Sequence, residues 1–326
     1  MVNSWSKPDK EVDGEMEGGA GREPGLDQVL AERRQLINVA YRMLGSATEA
    51  EDAVQEAIAR WYALPVAERE QIASPGAWLT TVVSRICLNL LGSARVRREA
   101  YVGEWIPEPL PGSIEQGVGG AGGGGVDPAD RVTLDESISM AFLVVLETMT
   151  PAERVTFILH DVFGYPFAEV GEIVGRSAAA CRQLAVSARR RVRASQVRAV
   201  ASAQQAGIVR AFKTAWEAKD IDGLVGLLDP GATAVADGGG RATTFVQPIE
   251  GAEQIAQAWF AIANRRPSDM AFIERTVNGQ PGIVAEQGGV TVTVFAFAVA
   301  DDRITDIWVV RNPEKLRLWT GPVSGS

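Results

Sequence analysis

The apolar residues of the N-terminal third recur at three- and four-residue spacing, which predicts amphipathic helices throughout residues 26–100. Thr48 and Glu51 have the spacing of a capping box, so one helix is expected from Thr48 to Trp61. Another helix is expected to begin at Ser74, which precedes a proline suited to the first helical turn. The apolar positions of this helix are Trp78, Leu79, Val82, Val83, Ile86 and Leu90. The pattern therefore predicts a helical unit with a continuous apolar core.

A second helical unit is predicted farther along the chain, and its last helix is basic. Thr150 and Glu153 form a capping box around a proline, and Gly175 ends a short helix over residues 167–174. Ser177 then caps a long helix that carries several arginines and no acidic residue. Helix, tight turn and basic helix are the arrangement that places side chains in the major groove of DNA. A solvated basic helix on an ordinary helical hairpin is the alternative.

Two sets of polar residues are therefore candidate DNA contacts. In the second unit these are Arg176, Ser177, Arg182, Gln183, Ser187, Arg189 and Arg190. The helix after Ser74 has polar positions and a basic tail that suit opened, single-stranded DNA, although a packed helix with a basic tail has the same pattern. Its candidates are Ser84, Arg85, Asn89, Arg95, Arg97 and Arg98.

From about residue 205 the pattern changes to two helices and a series of alternating strands, with a further helix over residues 253–263. This order predicts helices packed on a curved antiparallel sheet, an α+β cone of a kind that often encloses a pocket. The single histidine, His160, lies outside this region, and no spacing pairs the acidic residues within it. We therefore expect no catalytic residue and no enzyme activity, while a cone that binds or converts a small molecule stays open as an alternative.

Composition narrows these interpretations. The net charge of −9 argues against general nucleic-acid binding, so any affinity for DNA must be local. We expect a cytoplasmic protein without a membrane partner, because the sequence shows neither a signal peptide nor a membrane-spanning apolar run. Cys87 and Cys181 are expected to be buried, and neither a disulfide, a metal site nor a cofactor is predicted.

Changes in composition divide the chain into five segments. The expected segments are an acidic disordered tail over residues 1–25, helical units over 26–100 and 131–203, a linker rich in proline and glycine over 101–130, and the α+β domain over 204–326.

Several motifs together resemble one protein family. These are EAEDAVQE at residues 49–56, PGAWL at 75–79, YVGEWIPEPL at 101–110, DGGGR at 237–241 and NPEKL at 312–316. They are similar to those of extracytoplasmic-function sigma factors, and specifically of the subgroup with a fused C-terminal SnoaL-like domain. Three features depart from the subgroup: Arg241 replaces a lysine, Ser187 stands where the basic helix usually has an arginine, and the linker contains a long glycine insertion.

The resemblance implies a multi-domain protein with two all-α sigma domains, the second with a helix-turn-helix, and a SnoaL/NTF2-like α+β cone. It implies a factor that binds core RNA polymerase and promoter DNA, and whose cone regulates it in cis without a separate anti-sigma factor. A plain helix-turn-helix regulator is the alternative. The polymerase contacts would be Glu49, Asp52 and Glu56. The regulatory contacts between domains would be Trp105, Pro107, Asp237, Gly238, Gly239, Gly240, Arg241, Asn312, Pro313 and Lys315.

Overall fold

The computed structural model describes residues 26–99, 101, 103–112, 138–195 and 202–320. The predicted acidic tail and the glycine-rich half of the linker lie outside these residues. The N-terminal unit consists of four helices, α1 (Leu26–Leu44), α2 (Ala47–Ala63), α3 (Val66–Gln71) and α4 (Pro75–Glu99).

The start of α2 differs from the prediction. Its N-cap is Ser46, whose hydroxyl accepts a hydrogen bond from the Glu49 amide, so the predicted cap at Thr48 is wrong. The two residues are only two positions apart, and the chain turns at Gly45, whose φ is +69°. This turn brings Ser46, and not Thr48, to the free amides of the first helical turn.

The predicted helix caps and turn of the second helical unit are present in the structure. Thr150 and Glu153 form the capping box, Gly175 has a φ of +71° after the short helix, and the Ser177 hydroxyl accepts from the Ala180 amide. The sequence did not indicate the five-residue π-helix that interrupts the first predicted helix of this unit. The elements are α5 (Met140–Glu147), α6 (Pro151–Phe157), the π-helix (Ile158–Val162), α7 (Phe167–Val174) and α8 (Ala178–Ala194).

The C-terminal cone contains three helices and a six-stranded sheet in the order β2-β1-β6-β5-β4-β3. Strands β1 and β6 are parallel and the other neighbours are antiparallel, so the sheet is mixed and not wholly antiparallel as predicted. The helices are α9 (Ser202–Ala218), α10 (Ile221–Leu227) and α11 (Ala252–Asn264). The strands are β1 (Leu228–Asp237), β2 (Ile249–Glu250), β3 (Met270–Val277), β4 (Gln280–Gln287), β5 (Val290–Ala300) and β6 (Arg303–Val310).

Three apolar clusters hold these parts together. One cluster is shared by both helical units, so α4 packs directly against α6 and α7. A second lies between the cone helices and one face of the sheet. The third lies on the opposite face of the sheet, where it includes Ile106 of the linker and Met140 of α5. The linker therefore lies between the cone and the helical units and is buried by both.

Among the residues that the structure describes, no helix is both long and apolar enough to cross a membrane. The predicted burial of Cys87 and Cys181 is confirmed, and both thiols are free.

Candidate nucleic-acid interface and interdomain contacts

The basic helix α8 presents part of its predicted DNA-binding set to solvent. Arg176, Arg182, Gln183 and Arg190 are exposed, and the hydroxyl of Ser177 is used in the helix cap. The face of α8 opposite these side chains packs on α6 and α7 through Cys181, Ala185 and Ala188. Arg176, Arg182 and Gln183 lie at or near the amino end of a helix fixed from behind, which suits contact with base edges and phosphates, and Arg190 lies in its carboxyl-terminal half.

Two other predicted contacts of α8 are held within the protein. The Ser187 hydroxyl donates to Glu153 Oε1 over 2.6 Å, and Arg189 Nε pairs with Asp161 Oδ1 over 2.5 Å. Burial works against ionisation of Glu153, but hydrogen bonds from Ser187 and Thr150 outweigh it and hold its pKa below the ordinary value. We therefore remove Ser187 and Arg189 from the proposed DNA contacts, because buried or nearly buried acids hold both of them.

The polar residues of α4 are also divided. Ser84 is completely buried, so its prediction as a DNA contact is wrong. Asn89 is exposed, and Arg85 is exposed but donates from Nη2 to the Glu172 carbonyl of α7 over 3.0 Å. The other predicted residues, Arg95, Arg97 and Arg98, belong to the last turns of α4, and their side chains lie outside the described ones.

The two helical units are joined by polar contacts around their shared apolar cluster. Arg154 donates from Nη1 to the Met43 carbonyl of α1 over 3.1 Å and pairs with Glu147 over 2.7 Å. Burial lowers the pKa of this guanidinium to about 9. The Tyr165 hydroxyl donates to Thr80 Oγ1 of α4 over 3.3 Å. In this arrangement α7 covers part of the α4 surface from which Arg85 projects.

The acidic residues of α2 lie on a separate surface. Asp52 and Glu56 are exposed and Glu49 is half-buried. Glu56 forms an exposed ion pair with Arg60 one turn later. The first turn of α2 is bound from the linker, since Glu108 Oε2 accepts hydrogen bonds from Ser46 Oγ and from the Ala47 amide over 3.0 and 2.9 Å.

Several of the predicted regulatory residues meet in a buried polar centre, which we call the Asp237 centre. Asp237 is completely buried, and Lys315 Nζ donates to its Oδ2 over 2.7 Å. The same carboxylate accepts from the Tyr101 hydroxyl over 2.7 Å and from the Ile106 amide over 3.1 Å, both in the linker. Lys315 also donates to the Ile106 carbonyl, and its ammonium lies 4.1 Å from the centre of the Trp105 ring. One carboxylate and one ammonium of the cone thus bind the linker at four points.

Glycines beside Asp237 allow the close packing of this centre. A Cβ on Gly239 would lie 2.3 Å from Asn312 Nδ2, and the Gly239 φ is +60°. The amide of Asn312 in turn donates to the Tyr101 hydroxyl over 2.8 Å. Gly238 is also buried, and Gly240 and Pro313 are exposed.

Arg241 does not perform the role expected from the sequence. It is an exposed residue that pairs with Glu314 of the cone over 2.8 Å. The predicted approach of Arg241 to another domain is therefore wrong, and Lys315 supplies the cation that contacts the linker. A lysine can extend into a buried site with a single ammonium, whereas the guanidinium of Arg241 remains at the surface.

A second buried centre was missed from the sequence. Asn278 occupies the turn between β3 and β4 with a φ of +51° and is completely buried. Its Oδ1 accepts from the Leu110 amide over 3.0 Å, and its Nδ2 donates to the Tyr41 hydroxyl over 2.7 Å and to the Ile138 carbonyl over 2.9 Å. One amide group therefore connects the cone to the linker and to both helical units. The Asn-Gly pair predicts a turn, but its partners are distant in sequence.

The linker is fitted closely to α1 and α2 as well. Pro107 is buried, and a Cβ on Gly45 would lie 2.9 Å from the Trp105 ring. The Tyr41 hydroxyl donates to the Glu108 carbonyl over 2.7 Å. The linker segment over residues 105–110 is consequently a packed structural element.

Aromatic rings fill the space between the cone helices and the sheet. Trp216 packs 4.0 Å from Phe272 and 5.3 Å from Phe295, measured between ring centroids. Its indole donates to the Trp259 carbonyl over 2.9 Å. Four acidic residues of the cone have structural partners. Glu274 pairs with Arg210 and Asp237 with Lys315, while Asp269 accepts from Gln287 and Asp306 accepts from Thr233.

Comparison with known proteins agrees with this architecture. Two protein families match the chain, Sigma-70 region 2 over residues 29–97 and Sigma-70, region 4 over residues 139–192. The chain is 36% identical over 295 residues to the ECF RNA polymerase sigma factor SigJ of Mycobacterium tuberculosis, covering 87% of this chain and 90% of that protein. It is also 36% identical over 287 residues to the probable ECF RNA polymerase sigma factor SigI of that species, covering 88% of this chain and 92% of that protein.

The fold is similar over the same extent. The crystal structure of Mycobacterium tuberculosis SigJ matches with a TM-score of 0.69 and 33% identity, covering 89% of this chain and 97% of that chain. The predicted architecture of two helical sigma regions and a SnoaL/NTF2-like cone is confirmed. The chain belongs to the extracytoplasmic-function sigma factors, the family that directs RNA polymerase to particular promoters.

Proposed function

We propose that this sigma factor is regulated in cis by its cone, which holds the two sigma regions against each other by binding the linker. The observation that carries the proposal is the pair of buried polar centres at Asp237 and Asn278. Together they connect the cone to the linker, to region 2 and to region 4. A separate anti-sigma protein is not needed for this restraint, since the restraining domain belongs to the same chain.

The packed arrangement restricts access to DNA. Region 4 contacts α4 in two places: the Glu172 carbonyl accepts from Arg85, which belongs to the proposed surface for opened DNA, and the Tyr165 hydroxyl donates to Thr80. The downstream and upstream promoter elements are separate stretches of DNA, so the two regions must move apart to engage both. We infer that release of the linker lowers the cost of this separation.

The proposed contact with core RNA polymerase is the acidic stripe of Glu49, Asp52 and Glu56 on α2. Two of these side chains are exposed, and charge complementarity to a basic partner would favour association. Replacement of all three by lysine is expected to abolish core polymerase binding without loss of the fold. Retained binding by a folded triple variant would overturn this assignment. The cone itself is proposed to act through contact and to have no catalytic activity.

Run-off transcription with core polymerase tests the regulatory proposal. Lys315→Met weakens the Asp237 centre, and we expect it to raise initiation when core polymerase is limiting. Lys213→Met is the matched control, because Lys213 pairs with Glu217 on the surface of α9, one helical turn away. Equal transcription from Lys315→Met and the wild type would contradict regulation by the cone.

A further inference from the structure

Three side chains of region 4 form a stack that ends on the basic helix α8. The ring of His160 lies 3.7 Å from that of Phe167, with an interplanar angle of 27°. The guanidinium carbon of Arg182 lies 5.5 Å from the centroid of the same Phe167 ring. The stack therefore extends from the π-helix, through the first residue of α7, to an exposed arginine of α8.

The base of this stack is fixed by the backbone. His160 Nδ1 lies 2.8 Å from the Tyr165 carbonyl, which can only accept a hydrogen bond, so Nδ1 carries the proton in this contact. The π-helix that contains His160 is an irregularity of the kind often found at functional sites. His160 and Phe167 are both half-buried, so neither ring moves freely. A cation is attracted to the face of an aromatic ring, and this attraction favours a limited set of Arg182 rotamers.

The arginines of α8 differ in how they are held. Asp161 holds Arg189 in an ion pair inside region 4, whereas Phe167 orients Arg182 without using its hydrogen-bond donors in that contact. Arg182 also lies near the amino end of the helix, where recognition helices contact base edges. The planar guanidinium has two parallel donors that match O6 and N7 of guanine. A preorganised arginine loses less rotamer freedom on binding than a mobile one.

We propose that Arg182 reads a guanine in the major groove of the upstream promoter element, and that Phe167, backed by His160, is its positioning residue. This inference rests on the proposed binding of duplex DNA by α8. It predicts base discrimination at one position, beyond the general attraction of arginines to phosphates.

The experiment uses the full-length chain bound to core RNA polymerase. A pool of duplexes with a randomised upstream segment first identifies the preferred duplex, and each base pair of that duplex is then replaced singly. The wild type is expected to discriminate about tenfold in favour of guanine at one position. Arg182→Lys should lose this discrimination at that position and keep the salt dependence, because the charge remains. Arg193→Lys is the matched control, because Arg193 is an exposed arginine of the same helix outside the proposed DNA contacts, and it should leave the discrimination at that position unchanged.

The positioning role is tested separately. Phe167→Leu should reduce discrimination at the same position about threefold with an unchanged salt dependence, and Phe167→Tyr should preserve it because the ring remains. His160→Gln removes the supporting ring and provides a second test if Phe167→Leu does not fold. Full discrimination by folded Phe167→Leu or His160→Gln would overturn the positioning role. Full discrimination by Arg182→Lys would overturn base reading, whereas failure of the wild type to select any duplex would instead overturn the proposed DNA-binding function.

Discussion

Replacement of Lys315 by methionine should release the linker from the cone. Lys315 Nζ is 2.7 Å from Asp237 Oδ2, and the two side chains are 10% and 0% exposed. Methionine has a similar length and fills the same space, so the change removes the charge and the donated hydrogen bonds with little loss of packing. The carboxylate of Asp237 remains buried without its cation.

The expected magnitude follows from the burial of the pair. Removal of one partner of a buried ion pair costs about 3–5 kcal/mol, because the other charge stays in a poorly solvated site. Asp237 would keep its hydrogen bonds from Tyr101, Ile106 and the Gly239 amide, which favours the lower end of this range. A cost of about 3 kcal/mol corresponds to roughly a hundredfold increase in the population of the released linker.

Amide hydrogen exchange at Ile106 measures this release directly, since the Ile106 amide donates to Asp237. Lys315→Met should reduce its protection about a hundredfold. The control variant Lys213→Met loses only a surface pair and should change protection by less than about threefold. Adding Asp237→Asn to Lys315→Met removes the uncompensated charge and should restore part of the protection. Unchanged protection in Lys315→Met, or strictly additive effects in the double variant, would refute the argument.

Three further measurements test other parts of the structure. Asn278→Gly allows the positive φ but removes three side-chain hydrogen bonds, so we expect it to destabilise the protein by at least about 2 kcal/mol in urea unfolding. The control Asp301→Gly, in an exposed turn, should have almost no effect, and equal unfolding midpoints for the two variants would contradict the prediction. Burial raises the pKa of Glu108, so the contribution of Glu108 to the free energy of unfolding should fall as pH rises from the ordinary glutamate pKa through the raised value. The measurement is the difference in unfolding free energy between the wild type and Glu108→Gln as a function of pH, and a difference that does not fall over this range would contradict the prediction. Burial also raises the pKa of Cys87 and Cys181, so neither thiol should react with a disulfide reagent before urea unfolds the chain. Rapid labelling of either thiol in the native protein would contradict this and show that the packed arrangement opens readily.

The sequence predicted those features that depend on local chemistry. The capping box at Thr150, the turn at Gly175 and the cap at Ser177 lie where their spacing indicated, because each involves residues only a few positions apart. The cap of α2 was misplaced because two polar residues compete there. Selection of Ser46 involves the carboxylate of Glu108, which lies 62 positions away in the sequence.

Exposure of the predicted DNA contacts could not be derived from the same patterns. Ser84 and Ser187 are polar residues on amphipathic helices, and hydrophobic periodicity places such residues on the outer face. Both are instead directed inward, since α4 packs on helices of both units and Glu153 lies beneath α8. The role of Asn278 was likewise hidden, because its hydrogen bonds reach residues 140 and 237 positions away.

The chemistry of the linker contacts suits the proposed restraint of the chain by its fused domain. An apolar interface of the same extent would be stabilised in proportion to its buried area, whatever the relative orientation of the two surfaces. The centres at Asp237 and Asn278 instead join their partners through buried hydrogen bonds, which have modest net value when formed and a large cost when only one partner remains. Such contacts define a single docked position for the linker and make its release cooperative. Glu108 extends this dependence to the first turn of α2, so the docked linker and the helix that carries the proposed polymerase contacts stabilise each other.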